Sequence, residues 1–341
     1  MDISTPYYED KTRISNSNIG WFLNKGPAFL HKMLTEDVPE EKNPVLERGT
    51  MIHEYILQPE EFQKDYVVWN KSRPSSAQQE KFCQVLASSL EIEPNRAILS
   101  AYKEAYSTAG KSENFMLSEG LKIASTLKDY IDFLKANDGR IMISPWDVKM
   151  LEKIKYNIQS HKLASKIIPA YTNSSIFARH EFHINWEWEM LLEHSGNPNP
   201  PELLQVKCKS LLDGLTLDFE NKEAIIYDLK TTQKLWHFEE SIDQYDYLRQ
   251  LCYYKMAVMW YLKNECGEKN PGQWVVNFYI IGIDTTGSYE IRVFNINRLA
   301  VEKRREVINT ALLNISWHQS TGKWDHSRAY YEGDGSESLN L

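Results

Sequence analysis

The sequence lacks three features that would indicate other classes of protein. None of its 341 residues lie in an apolar run of about 18 residues, the length that spans a bilayer. The first residues, MDISTPYYEDKTRIS, have no apolar core of the kind found in signal peptides. No glycine-rich loop of the type that cradles nucleotide phosphates is present. We therefore expect a cytoplasmic protein without a membrane partner, and we do not expect a nucleotide- or sugar-processing enzyme.

Cysteine is scarce, and its spacing excludes the common metal motifs. The chain has only four cysteines, and none stands in a C-x-x-C or zinc-finger arrangement: Cys83, Cys208, Cys252 and Cys266. This usage is typical of reduced thiols in the cytosol. The sequence therefore argues against a structural zinc site and against an iron–sulfur cluster.

Positive charge is in deficit, since the net charge is −8. This excludes a generally basic nucleic-acid coat protein. It does not exclude a protein whose positive charge is confined to one groove, because the local field matters more than the net charge. Two basic clusters stand out, although each also fits a solvated helix face: Lys149, Lys153, Lys155, Lys162 and Lys166, and Arg298, Lys303, Arg304 and Arg305.

The pattern of apolar residues predicts an α/β fold with a helical first half. Short helices are expected at about 15–23 and 46–58, a short strand and loop at 60–72, and mainly helix from 78 to 168. From about residue 176 strands follow, at 177–191, twice within 203–234, at 274–284 and at 288–296, with helices at 241–264 and 298–320. We predict one domain over residues 1–324, with a central mixed sheet of about five strands flanked by helices, a helical insertion at about 70–170, and a partly disordered tail at 325–341.

The first long strand shows a strict alternation. In FARHEFHINWEWEML one set of side chains is apolar and the other is polar, which is the pattern of a half-buried strand. The apolar set is Phe182, Ile184, Trp186, Trp188 and Met190, and the polar set is Glu181, His183, Asn185, Glu187 and Glu189.

The next stretch, LLQVKCKSLLDGLTLDFENKEAIIYDLKTTQK at 203–234, reads as a hairpin with charges at unusual places. Asp213 closes an apolar run just before Gly214, and a second apolar run ends in Asp228 and Lys230. Two carboxylates and a lysine that converge at the ends of paired strands can bind a divalent metal and position a water. The plain alternative is a surface hairpin with a salt bridge, because Asp-x-Lys at a strand end is common.

Two helical pairs add to these candidates. Gly49 and His53 are four residues apart and so share a helix face, where the glycine lets another group approach the imidazole. Gln250 and Tyr254 are similarly spaced on the helix that follows the hairpin. Alone, the histidine fits a core position with a satisfied hydrogen bond, and the Gln–Tyr pair is unremarkable.

In this order, Gly49 and His53, Glu181, Asp213, Asp228-x-Lys230 and Gln250-x-x-x-Tyr254 resemble the PD-(D/E)xK nuclease superfamily. The branch most similar holds the RecB nuclease domain and the phage exonuclease VIII (RecE) type. The segments ERGTMIHEYILQPEEF, VKCKSLLDG, IIYDLKTTQ and TGKW also resemble that branch, so the likeness covers about residues 14–324. The sequence departs from the family at Leu211, where relatives often carry an arginine that makes a phosphate or structural contact.

The resemblance and the chemistry of the side chains together imply roles. Asp213 and Asp228 are expected as metal ligands, with the backbone carbonyl of Leu229 as a further oxygen and His53 as an imidazole ligand. The expected ion is Mg²⁺ or Mn²⁺. Lys230 would orient or deprotonate the attacking water, which needs a lowered pKa, or would neutralise the phosphate.

Three further polar residues are expected near these ligands. Glu181 would be a catalytic carboxylate, as a supporting group or a second-metal ligand, although His180 and His183 stand close to it in sequence. The resemblance implies that Gln250 and Tyr254 hold the lysine, the metal site or the DNA strand.

As a whole, the resemblance implies a divalent-metal-dependent DNA exonuclease. It implies digestion of duplex ends from 5′ to 3′ in phage-type recombination, a ring-shaped homo-oligomer whose channel gathers the basic residues, and a single-strand annealing protein as partner. Two alternatives remain open from the sequence. One is a single-strand exonuclease or flap endonuclease of the same superfamily, and the other is an inactive relative that only binds nucleic acid.

Overall fold

The protein is an α/β structure with a five-stranded mixed sheet flanked by helices, which confirms the predicted fold class. The structure, a computed structural model, describes residues 7–38, 43–91, 93–136, 138–192 and 202–336. In chain order its elements are α1 (Asn16–Thr35), α2 (Pro44–Leu57), α3 (Pro59–Asp65), β1 (Tyr66–Val68), α4 (Ala77–Ala87), α5 (Pro94–Ala105), α6 (Glu113–Thr126), α7 (Lys128–Lys135), β2 (Ile141–Ile143), α8 (Pro145–Ser160), α9 (Ala164–Ile167), β3 (Ile176–Leu192), β4 (Glu202–Asp218), β5 (Glu223–Thr232), α10 (Phe238–Gln244), α11 (Tyr247–Asn264), β6 (Val275–Asp284), β7 (Ile291–Ile296), α12 (Arg298–Glu302), α13 (Arg305–Thr321) and α14 (Arg328–Glu332).

The chain forms two compact units, which are described separately. The first comprises Met1–Gln58 and Glu152–Leu341 and holds the large sheet, and the second comprises Pro59–Leu151. The sequence interpretation, a single domain with an insertion at about 70–170, stays a prediction.

The sheet of the first unit has the strand order β3-β4-β5-β6-β7. All neighbours are antiparallel except β5 and β6, which run parallel over their whole length, from Glu223↔Val275 to Thr232↔Asp284. A parallel pair needs a crossover connection, and α10 with α11 supplies it. By contrast, β4 and β5 pair over five residues only, from Asp218↔Glu223 to Gly214↔Tyr227.

The core of the first unit lies between this sheet and helices α1, α11 and α13. The predicted apolar face of β3 enters it, since Ile184, Trp186 and Trp188 are buried while Phe182 and Met190 pack against it. The alternation in the sequence therefore identified the buried face correctly. The helix α11 contributes a broad apolar surface to the same core, including Leu251, Cys252, Tyr253, Ala257, Val258 and Leu262.

Local sequence explains how the first helix begins and bends. Ser15 caps α1 through a capping box, in which its side chain and that of Asn18 each accept a hydrogen bond from the other's backbone amide. Gly26 has a φ of 84° and precedes Pro27, so the helix is kinked at the predicted break but continues to Thr35. The backbone of Ile14, just before the cap, pairs with β4 at Cys208.

The second unit is mainly helical, with a core between α4, α5, α6 and α7. Phe82, Cys83 and Ala101 are fully buried there. Gly120 lets α6 approach α5, because a Cβ at this position would lie 2.6 Å from the Ile98 side chain. The short strands β1 and β2 form a separate parallel pair.

Three of the predicted elements differ from the structure. Residues 59–65 form helix α3 before the short strand, whereas a strand and loop were expected, because Pro59 begins a helix as readily as it ends one. The expected single helix at 241–264 is divided at Asp246, which has a φ of 47° and caps α11 with its side chain. The expected helix at 298–320 is divided into α12 and α13 at Lys303 and Arg304.

In the predicted tail, Arg328–Glu332 form α14, and residues 337–341 lie outside the described part of the chain. Within the described ranges, no helix combines the length and the apolar content that crossing a bilayer requires.

Candidate active site

The candidate site lies where β4 separates from β5. The backbone ladder between them stops at Gly214↔Tyr227, and the next residues along the two strands are Asp213 and Asp228. Beyond that point the amide of Leu229 donates a hydrogen bond of 2.7 Å to Oδ2 of Asp213. A carboxylate has thus taken the place of a strand carbonyl as acceptor. The separation brings both aspartates to one end of the ladder. They lie inside β4 and β5 and not at the strand ends, as the sequence predicted, because both strands continue beyond the apolar runs.

Gly214 makes this arrangement sterically possible. Its register partner Tyr227 is buried, with an exposed fraction of 1%, and its ring lies directly over the glycine. A Cβ at position 214 would lie 1.9 Å from the ring carbon Cζ, far inside contact distance. Glycine is therefore needed here for close approach and not for an unusual φ.

A second irregularity faces Asp213 from the other side. The β3–β4 pairing passes from His180↔Gly214 to Phe182↔Leu212 and omits Glu181 and Asp213. Glu181 has a φ of 43°, in the left-handed region that costs a residue with a side chain about 1–2 kcal/mol. The interrupted pairing and the positive φ occur at the residue, Glu181, whose side chain lies near the aspartates.

His53, Glu181 and Asp213 form a cluster that could hold a metal ion, with one ligand atom from each lying within 4.8 Å of the others. Nδ1 of His53 is 3.7 Å from Oδ2 of Asp213. His53 comes from α2, which approaches β5 closely at Gly49, where a Cβ would lie 3.2 Å from Oγ1 of Thr231. The small residue therefore allows β5 to approach α2, while the access to the imidazole that the sequence indicated stays a prediction.

The neighbouring histidines are engaged elsewhere. His180 directs its ring nitrogens at the backbone carbonyl oxygens of Leu57, at 2.8 Å, and Ile168. His183 packs its ring edge-to-face against Tyr7, with centroids 5.2 Å apart. Neither belongs to the cluster among the described residues.

Asp228 lies deeper than the cluster and is almost completely buried. Its Oδ1 accepts a hydrogen bond of 2.9 Å from Nε2 of Gln250, which also donates to the Tyr254 hydroxyl at 2.8 Å. Its Oδ2 is 2.7 Å from Nζ of Lys230, an ion-pair distance. Asp228, Lys230, Gln250 and Tyr254 therefore form one connected polar group.

The electrostatics of the site are dominated by an excess of carboxylates. Burial, followed by the charges of Asp213, Asp228 and Glu54, raises the pKa of Glu181 to about 8, against the opposing effect of Lys230. Burial and the charge of Asp213 likewise hold the pKa of Asp228 above its ordinary value despite the lysine. The charges of Asp213, Asp228 and Glu54 thus act on Glu181 against the single ammonium group of Lys230, so that negative charge is in excess at the site.

Lys230 carries that ammonium group. Burial acts to lower its pKa, but the carboxylates of Asp228 and Asp213 outweigh burial and raise its pKa above the usual value. Of the two roles that the sequence left open, this direction favours charge neutralisation over proton abstraction. The ammonium also lies 4.9 Å from the centre of the Tyr247 ring.

Sequence reasoning missed Tyr247 and Glu54. Tyr247 is the first residue of α11, and no spacing signal separates it from the other tyrosines of that helix. Glu54 follows His53 directly, so proximity to a candidate ligand was the available signal. For Leu229 the structure places the amide, and not the carbonyl, on a carboxylate, so its role as a metal ligand stays a prediction.

Comparison with known proteins gives little to add to this geometry. No protein-family model and no curated protein matches the chain. Among solved structures, one described as a "putative exonuclease" from Eubacterium rectale is similar over 100% of this chain and 96% of its own, with 13% identity and a TM-score of 0.46. A likeness this distant carries no argument about activity, which has to rest on the site itself.

Proposed function

We propose that this protein is a divalent-metal-dependent deoxyribonuclease that hydrolyses phosphodiester bonds. The observation that carries the proposal is the convergence of the His53, Glu181 and Asp213 ligand atoms within 4.8 Å, next to the buried Asp228 and its half-buried ion-pair partner Lys230. A ligand set of one imidazole and carboxylates suits a hard divalent cation, and the imidazole favours Mn²⁺ more than an all-oxygen site would.

The charge of the site supports the presence of a cation. Glu181 has its pKa raised mainly by burial and by neighbouring carboxylates, which means that ionisation is unfavourable without a compensating positive charge. Oδ2 of Asp228 is buried, and the Lys230 ammonium 2.7 Å away does not return the pKa of this carboxyl group to its ordinary value. His53, Glu181 and Asp213 would hold the ion, and Asp228 would ligate it directly or through a water. A bound Mg²⁺ or Mn²⁺ would supply a Lewis acid for the phosphate and lower the pKa of a water.

The residues of the chain then have distinct tasks. Lys230, protonated at neutral pH, would neutralise negative charge that develops on the phosphate. Gln250 fixes the carboxylate of Asp228, and Tyr254 in turn accepts from Gln250, so both act on the substrate through the aspartate. This positioning task replaces direct DNA contact as the role that we propose for the Gln–Tyr pair.

The assignment to a superfamily and to a direction of digestion rests on the order of the motifs along the chain. We propose membership of the PD-(D/E)xK superfamily, in the branch of the phage exonuclease VIII type, with 5′ to 3′ digestion of duplex ends in recombination. A ring-shaped oligomer and a single-strand annealing partner belong to the same proposal. The support is the sequence of His53, Glu181, Asp213, Asp228-x-Lys230 and Gln250 along the chain.

The test combines cleavage with metal binding. Duplex DNA labelled at the 5′ or the 3′ end is incubated with Mg²⁺ or Mn²⁺, and Mn²⁺ binding is followed by electron paramagnetic resonance. Asp213→Asn should lose both metal binding and cleavage. Lys230→Ala should keep metal binding and lose about 10²–10³-fold in cleavage rate, the effect of removing one group that stabilises a developing anion.

The matched control is Lys207→Ala, because Lys207 is an exposed lysine on β4. It should leave both measurements unchanged. Progressive loss of label from the 5′ end would support the exonuclease assignment, and loss confined to single strands would favour the alternative member of the superfamily. Failure of the wild type to cleave any DNA with either ion would refute the nuclease proposal.

A further inference from the structure

A row of residues across the sheet connects Lys230 with an exposed tryptophan. Lys230 pairs with Gly282 on β6, and Gly282 pairs with Arg292 on β7. Side chains of directly paired residues point to the same face of a sheet, so Lys230 and Arg292 share a face, about 10 Å apart across two interstrand spacings. The guanidinium of Arg292 lies 4.5 Å from the centre of the Trp236 ring.

Gly282 creates the space between these two cations. A Cβ there would lie 2.7 Å from Cδ1 of Leu235 and 3.2 Å from the Phe294 ring. Leu235 is therefore inserted over the glycine, which anchors the segment after β5 on this face of the sheet. Trp236, the next residue, has an exposed fraction of 71%.

The same face carries a continuous set of aromatic rings, which we call the aromatic ledge. Phe294 stacks on Phe238 with centroids 5.0 Å apart, Phe238 on Tyr247 at 6.0 Å, and Tyr247 on Tyr245 at 5.7 Å. Tyr247 lies under the Lys230 ammonium. The ledge comprises Trp236, Phe294, Phe238, Tyr247 and Tyr245. Its two ends, Trp236 and Tyr245, are exposed, whereas Phe238 is buried in the core and Phe294 and Tyr247 are half-buried.

Neither an exposed tryptophan nor one surface cation–π pair requires a ligand. The combination differs, because two exposed rings stand at the ends of a row of less exposed rings that holds Arg292 and Lys230 and leads to the candidate catalytic lysine. Proteins bind unpaired nucleic-acid strands in this way, with aromatic rings for the bases and cations for the backbone. The acidic neighbours Glu239 and Glu240 are exposed and reduce the attraction for phosphate, so contact with the bases has to supply much of the affinity.

We infer that the aromatic ledge is a binding subsite for unpaired nucleobases of a single-stranded DNA segment, with Trp236 as its principal stacking platform. This inference rests on the proposed nuclease function, because it assigns the ledge to the strand that enters or leaves the site. A duplex substrate would reach the ledge only with frayed or unwound bases.

The experiment measures binding of single-stranded DNA in EDTA, where metal-dependent cleavage is absent. The strand carries 2-aminopurine, whose fluorescence falls on stacking, and a second strand has abasic sites in place of bases. Trp236→Ala should weaken binding of the normal strand by about tenfold, the size expected for one base–aromatic stack. The loss should persist at raised salt, because stacking is not screened as ion pairs are.

Matched variants separate stacking from general apolar contact. Trp236→Phe should bind within about twofold of the wild type, whereas Trp236→Leu, which keeps an apolar side chain without a π face, should bind like Trp236→Ala. Trp146→Ala controls for the loss of an exposed tryptophan elsewhere, since Trp146 has an exposed fraction of 54% in the second unit. Unfolding midpoints of all variants are compared to establish that they fold.

Several results would overturn the inference: binding by Trp236→Ala equal to the wild type, equal binding by the Leu and Phe variants, or the same loss on the abasic strand. A change in oligomer mass in Trp236→Ala would also overturn it, because the tryptophan would then belong to an interface. Failure of the nuclease proposal is separate. A wild type that shows the stacking pattern but never cleaves DNA refutes the nuclease proposal and supports the ledge.

Discussion

Replacing Glu181 by glutamine should make the metal-free protein more stable at neutral pH and not at acid pH. The pKa of Glu181 in the folded state is raised from 4.5 to about 8, mainly by burial and by nearby carboxylates. A carboxyl group with a raised pKa contributes full stability below the unfolded value of about 4.5, and this contribution is lost as the pH rises through about 8. Glutamine mimics the protonated form at every pH.

The magnitude follows from the size of the rise. At about 1.4 kcal/mol for each pKa unit, complete ionisation costs roughly 5 kcal/mol, and about 3 kcal/mol of this is already present at pH 7. The free energy of unfolding of Glu181→Gln should therefore equal that of the wild type near pH 4.5 and exceed it by about 3 kcal/mol at pH 7.

The assay is denaturant unfolding in EDTA between about pH 4.5 and pH 9, with the difference between variant and wild type plotted against pH. Other carboxyl groups, such as Asp284, have lowered pKa values and change stability in the opposite direction, but they cancel in this difference. Glu187→Gln is the control, because Glu187 lies exposed on the same strand, and its difference should stay near zero. A Glu181→Gln difference that is independent of pH would refute the reasoning.

Saturating Mn²⁺ should make the wild type more stable than Glu181→Gln, since only the wild type keeps the carboxylate at position 181 as a metal ligand.

Two further substitutions test the geometry around the aspartates. Gly214→Ala should lower the free energy of unfolding by about 3 kcal/mol, the upper end for overpacking, because the new methyl group would meet the buried Tyr227 ring at 1.9 Å. The control Gly272→Ala has open space around it and should stay within about 0.5 kcal/mol, and equal losses for the two would contradict the packing argument. Gln250→Ala should weaken Mn²⁺ binding or cleavage by about 10- to 100-fold, because it removes the donor that fixes Asp228. Unchanged binding and cleavage in this variant would show that the contact has no positioning role.

The extent to which the fold was predictable depended on how local each signal was. The alternation from Phe182 to Met190 identified the buried face of β3, because a period of two reports directly on a half-buried strand. The breaks at Asp246 and at Arg304 carried no such signal, since helical periodicity continues across both. Strand order and the parallel β5–β6 pair depend on contacts between distant segments, which a single sequence does not record.

The candidate site was also predictable only where the signal was local in the sequence. Asp213 and Asp228 could be found because a carboxylate is unusual at the end of an apolar run. The clustering of Glu181 with His53 and Asp213, and the position of Asp228 behind them, depended on the omitted β3–β4 pair and the positive φ of Glu181. A backbone irregularity of this kind follows from tertiary context, which is why residue types alone gave Asp228 as the second carboxylate ligand and Glu181 only as a supporting group or a second-metal ligand.

The energetic cost of the site argues that it serves function and not folding. Glu181 adds about 1–2 kcal/mol of backbone strain and about 3 kcal/mol of unfavourable ionisation at pH 7, against a total stability of about 5–15 kcal/mol for a typical domain. Glutamine at this position would avoid the cost of ionisation, which is the larger of these two costs. Packing therefore gives no reason for glutamate here. A cation present at about 1,000 times its dissociation constant stabilises the folded state by about 4.1 kcal/mol, which exceeds the cost of ionisation. The ionised side chain of Glu181 is therefore unfavourable in the metal-free chain and becomes favourable with the ion that we propose it binds.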